Sequence, residues 1–174
     1  MQKVNIPVHL DPGRSATKQQ CFDGVIPQRV LQRLSDVSVE DGGVDVAIAC
    51  DRDEQHLATL TVTINTQLKL ECQRCNEPFL HDIGINVIYS PVKDDAAAEQ
   101  LPAEYEAVIL PEADNLNLHQ LIEDEILLAV PYVPMHLPSE CKQESHTSWG
   151  KTDDAQEDKP NPFAVLNKLK SSEE

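Results

Sequence analysis

Leu60-Thr61-Val62-Thr63-Ile64-Asn65-Thr66-Gln67-Leu68-Lys69-Leu70-Glu71-Cys72-Gln73-Arg74-Cys75 is the stretch on which the fold turns. Val62, Ile64, Leu68, Leu70 and Cys72 share one parity, and beyond the cysteines so do Phe79, Ile83, Ile85, Val87 and Tyr89. Successive side chains leave a strand on opposite faces, so alternation of period two marks half-buried strands. Two long strands therefore meet in a hairpin whose loop holds Cys72-Gln73-Arg74-Cys75. Upstream, Val44, Val46, Ile48 and Cys50 alternate after the turn signal Asp41-Gly42-Gly43, and Asp51-Arg52-Asp53-Glu54 makes the next loop. The result is an antiparallel meander of at least three strands, to which residues 105–110 add one more.

The flanks carry helices. Residues 4–10 read as a short strand closed by Asp11-Pro12-Gly13. Pro27 opens a short helix with Val30, Leu31 and Leu34 on its apolar face and Gln28, Arg29, Gln32 and Arg33 opposite. Residues 93–104 are a charged, Ala-rich surface excursion. Residues 116–130 form the main helix, capped by Asp114 or Asn115 and ended by Pro131, which disfavours helical geometry in the residue before it. The expected fold is α+β: a meander, open or partly closed as a barrel, with this helix, the short N-terminal one and a flexible acidic tail. Residues 1–137 make a single domain, 138–160 an acidic linker, and 161–170 a short docking helix. In that last piece Asn161 is the cap, Pro162 suits the first turn, and Lys168 and Lys170 complement the dipole.

Composition narrows the function classes. With 174 residues, 40% hydrophobic but only 4% aromatic, the core of the single domain must rest on Val, Ile, Leu and Ala. The net charge of −16 is uneven: five basic and two acidic side chains lie in residues 1–35, against five basic and eighteen acidic in residues 94–174. A polyanion is repelled by the last third and tolerated by the first. Five cysteines, an odd and scattered set, suit a reducing cytosol with thiols or a metal rather than a disulfide framework. The start of the chain lacks a signal-peptide core and no segment is long and apolar enough to span a bilayer, so a cytoplasmic protein without a membrane partner is expected.

The cysteine pair is the first candidate site. Zinc takes four ligands in a tetrahedron, and Cys72 with Cys75 supplies two at a suitable bite. Cys141 is the natural third, with His136 or His146 as fourth. Incidental thiols are the plain alternative. Thiol–disulfide catalysis is disfavoured, because redox pairs draw on a helix N-terminus and here strands flank the pair. Arg74 favours a thiolate while Glu71 and Glu77 oppose one.

Three further patterns remain. On a helical wheel Leu118, Leu121, Ile122, Leu128 and Ala129 share a face with Glu125 near its centre, which calls for an ion-pair partner; Glu123 and Asp124 point to solvent. Arg29 and Arg33, four apart, form a stripe that could grip RNA phosphates. Phe163, Leu166 and Leu169 line up at helical spacing for docking in cis or in a partner's groove. Nothing resembles a phosphate-binding loop, a nucleophile–base set or a dinucleotide fingerprint, so neither a catalytic residue nor a small-molecule substrate is expected.

Several segments together point to a family. They are Met1-Gln2-Lys3-Val4 with Leu10-Asp11-Pro12, Leu70-Glu71-Cys72-Gln73-Arg74-Cys75, and Glu123-Asp124-Glu125-Ile126-Leu127-Leu128-Ala129. Pro131-Tyr132-Val133-Pro134-Met135-His136 and Pro160-Asn161-Pro162-Phe163-Ala164-Val165-Leu166 complete the set. In that order and spacing the chain resembles the bacterial YceD family from end to end. The resemblance implies a non-enzymatic cytoplasmic factor for synthesis, processing or accumulation of large-subunit (23S) ribosomal RNA. It would act by binding an RNA or protein component of the pre-ribosomal large subunit, with Arg29, Arg33 and Arg74 as the RNA-facing candidates. Relatives with a cysteine-rich segment after the proline-bounded helix would complete a zinc site there; this chain has Cys141. The rival is a small zinc-binding adaptor unrelated to ribosomes.

Overall fold

The computed structural model describes residues 6–38, 42–110 and 115–141. By its contacts the chain falls into two units, Met1–Gln143 and Glu144–Glu174, and every described residue belongs to the first. The linker and terminal helix expected over 138–170 lie almost wholly outside the described residues, as do His146, Phe163, Leu166 and Leu169.

The chain begins with β1 (His9–Leu10) and α1 (Pro12–Thr17). Asp11-Pro12-Gly13 thus starts a helix where a turn was expected. Asp11 caps it, its carboxylate accepting from the Arg14 amide at 2.9 Å, and Pro12 occupies a first-turn position whose amide has no helical partner. β2 (Cys21–Pro27) was not foreseen, since Asp23-Gly24 breaks its apolar pattern; it forms by pairing with the next strand. The single helix expected after Pro27 is a 3₁₀ turn, Gln28–Val30, then α2 (Gln32–Ser35), with Leu31 extended between them. Gln28 explains the break. Its side chain is buried, donates to Thr66 Oγ1 and the Gln67 carbonyl at 3.1 Å each, and accepts from the Gly42 amide at 3.0 Å. A buried amide with all these partners is satisfied, so it turns inward and leaves Val30 half exposed.

The meander follows as β3 (Gly43–Arg52), β4 (Ala58–Glu71) and β5 (Pro78–Val92). Their antiparallel register places Val46 opposite Ile64, Ile64 opposite Ile85, and Leu70 opposite Phe79. One parity therefore forms a continuous apolar face, with Val44, Val46, Ile48, Cys50, Leu60, Val62, Ile64, Leu68 and Leu70 each at most 2% exposed. The other face is polar, and Gln67 donates to Asp82 across it at 2.8 Å. After α3 (Asp95–Ala98), β6 (Glu106–Ile109) joins the edge parallel to β5, because the chain crosses over instead of turning back in a hairpin. The strand order β2-β3-β4-β5-β6 is open, which removes the barrel alternative.

β7 (Leu116–Asn117) pairs with β1 and leads into α4 (Leu118–Ala129). Asn117, rather than Asp114 or Asn115, is the cap, its side-chain oxygen accepting from the Gln120 amide at 3.1 Å. Leu118, Ile122 and Ile126 are fully buried and belong to the same core as the apolar sheet face, Leu31 and Leu34. Burying such a side chain contributes roughly 1.5–3 kcal/mol. Val130 turns extended ahead of Pro131, and residues 131–141 then run without helix or strand.

Candidate metal centre

The hairpin between β4 and β5 closes by backbone bonds. The Cys72 amide donates to the Glu77 carbonyl at 3.0 Å and the Asn76 amide to the Cys72 carbonyl at 2.8 Å. Asn76 sits at φ 56°, a left-handed conformation that Asn adopts more readily than most residues. The turn curls Cys72 and Cys75 toward the segment after α4. There the Gln73 amide donates to the Pro134 carbonyl at 2.9 Å, and the Phe79 and His136 rings lie 4.9 Å apart. Phe79 thereby steers the imidazole to the cysteines, and His136 Nδ1 lies 3.4 Å from Cys75 Sγ.

Cys141 completes the group. One donor atom from each of Cys72, Cys75, His136 and Cys141 lies within 4.8 Å of the other three. Ligands of tetrahedral zinc stand roughly 3.5–3.8 Å apart, as bond lengths of about 2.0–2.3 Å require. Three sulfurs and one imidazole are the donor chemistry that zinc prefers. This set could hold a metal ion. Sequence alone left the second half of the site open between His136 and His146. Cys21 is exposed on β2, and Cys50 is buried in the core as its strand parity suggested.

The two hairpin thiols differ electrostatically. Burial acts to raise the Cys72 thiol, but the backbone amides of His136, Arg74 and Cys75 donate to it and bring it down to about 6. Burial instead pushes Cys75 up, with Cys72 and Cys141 adding to the effect. The anion-favouring groups around Cys72 are thus the His136 amide from the segment after α4 and the turn amides of Arg74 and Cys75, not the helix terminus of a redox pair.

The arginine candidates separate. Arg29 is exposed on the 3₁₀ turn. Arg33 is held: its Nε meets Glu123 at 3.0 Å and its Nη2 meets Asp124 at 2.6 Å. Glu123 Oε1 also accepts from the Arg33 and Leu34 amides at 2.7 and 3.2 Å, capping the start of α2. This corrects the helical wheel: Glu123 is buried and Glu125 only half-buried beside Tyr89, whose phenol is pushed up by burial and then by Glu125. The inward ridge is 118–122–126, and α2 pulls Glu123 in beside it, leaving Leu128 80% exposed. Arg74 is likewise engaged, with Nη2 3.6 Å from Met135 Sδ.

A family model described as "Large ribosomal RNA subunit accumulation protein YceD" matches residues 60–170. The chain is also 34% identical over 172 residues to the protein of that name from Haemophilus influenzae, covering 98% of this chain and 99% of that one. The chain belongs to the YceD family. The YceD match takes in β4 from Leu60 onward, the hairpin with Cys72 and Cys75, His136 and Cys141, and it extends across Phe163, Leu166 and Leu169. No solved structure matches the chain. Among the described residues, no helix is long and apolar enough to cross a membrane.

Proposed function

We propose that this protein is a non-enzymatic, cytoplasmic ribosome-biogenesis factor. It supports the synthesis, processing or accumulation of 23S ribosomal RNA by binding a protein or RNA component of the pre-ribosomal large subunit. The observation that carries the reading is the end-to-end relationship to the Haemophilus influenzae protein named "Large ribosomal RNA subunit accumulation protein YceD". The acidic balance makes a basic ribosomal protein a natural partner, because large-subunit proteins are the polycations of the assembly. Of the three arginine candidates for direct RNA contact, Arg29 is favoured, since Arg33 pairs with Glu123 and Asp124 and Arg74 lies against Met135. Residues Phe163, Leu166 and Leu169 supply an apolar stripe for a partner groove. Zinc is the cofactor at Cys72 and Cys75. The rival reading, a zinc adaptor unrelated to ribosomes, has no account of the full-length relationship.

Affinity capture of the full chain at mild salt tests the reading. Pre-ribosomal large subunits should come down with it, and the Phe163→Ala/Leu166→Ala/Leu169→Ala variant should recover several-fold less. Arg29→Glu should reduce recovery of ribosomal RNA without changing the melting temperature. Capture free of large-subunit proteins and 23S precursors would reject the function.

A further inference from the structure

Building on zinc as the cofactor, we propose that Cys72, Cys75, His136 and Cys141 form one closed zinc centre that fastens residues 131–141 to the β4–β5 hairpin. Four protein ligands fill a tetrahedron and leave no position for substrate or water, so the centre is structural. The donors come from two places: a turn that its own backbone bonds already hold, and a segment with no secondary structure.

That segment lacks another adequate anchor. Tyr132 is fully exposed, Leu137 65%, Val133 49% and Met135 45%, so apolar burial contributes little to holding it. What holds it among the described residues is the Gln73–Pro134 backbone bond, the Phe79–His136 ring contact, the Arg74–Met135 contact and the approach of His136 to Cys75 and Cys72. Each of these contacts involves a donor residue or its neighbour in the chain. Ordering a chain of this length costs backbone entropy that these few contacts do not offset, whereas a metal shared between the two pieces does. The sheet is built differently. Its core from Val44 to Leu70 is complete without the segment, so metal removal should free residues 131–141 and leave β3 and β4 folded.

The test uses the full chain, purified reduced and loaded with zinc alone. One zinc per chain is expected, and cobalt in its place should give the thiolate charge-transfer and strong visible bands of a tetrahedral sulfur-rich site. Chelation should speed amide exchange in residues 131–141 by about tenfold or more while β3 and β4 amides keep their protection. His136→Ala and Cys141→Ser should each reproduce that local release and weaken zinc binding, and Cys21→Ser should do neither. Failure to bind zinc stoichiometrically removes the cofactor and the clamp together. Stoichiometric zinc with unchanged exchange in 131–141 after chelation leaves the cofactor standing and overturns the clamp. Collapse of protection throughout the sheet also overturns it, because the centre would then hold the whole domain. Undiminished zinc affinity in His136→Ala or Cys141→Ser overturns the four-ligand set.

Discussion

Glu123 holds a position that its neighbours Asp124 and Glu125 do not. One carboxylate oxygen takes two amides of α2 and the other takes the Arg33 guanidinium, all at a side chain only 10% exposed. Glu123→Gln keeps the shape but removes the charge that makes these bonds strong, so a loss of about 1–3 kcal/mol is expected in urea unfolding. Glu125→Gln should cost visibly less, since no such amides depend on it. A wheel drawn from the sequence puts Glu125 at the centre because it weighs all apolar residues equally. Leu128 and Ala129 are exposed, so they should not have counted, and only the packing of α4 against α2 reveals that. Arg33 shows the same limit: of a basic pair legible four residues apart, Arg33 is taken up by Glu123 and Asp124 and only Arg29 stays outside that contact.

Elements governed by neighbours in the chain were the legible ones. β3, β4 and β5 follow from alternation over long runs, and the hairpin from the turn between them. The end of α4 follows from Pro131, but its start shifts to Asn117 because Leu116 and Asn117 pair with Leu10 and His9 before the helix can begin. Asn117→Ala should therefore cost about 1 kcal/mol of stability, read as a lower urea midpoint with an unchanged m-value. Asn115→Ala should be neutral. β2, the parallel placement of β6 and the break at Leu31 depend on partners far away in sequence. None of these leaves a periodic trace.

For the whole molecule, Met1–Gln143 is a compact unit by itself. A chain ending at Gln143 should unfold cooperatively within about 0.5 kcal/mol of the full-length protein, while its capture of pre-ribosomal particles falls if Phe163, Leu166 and Leu169 dock. Equilibrium urea unfolding of the two chains, side by side, measures the first part and affinity capture the second. By itself the sequence determined the α+β class, the three-stranded meander, the cysteine hairpin and the YceD resemblance. Each of these is written in local periodicity, turn chemistry or the order of short segments. Only the tertiary structure decided that His136 joins Cys72, Cys75 and Cys141, that Gln28 and Glu123 face inward, and that the sheet stays open. Those outcomes are set by contacts between residues distant along the chain, where packing and the pairing of buried polar groups overrule local pattern.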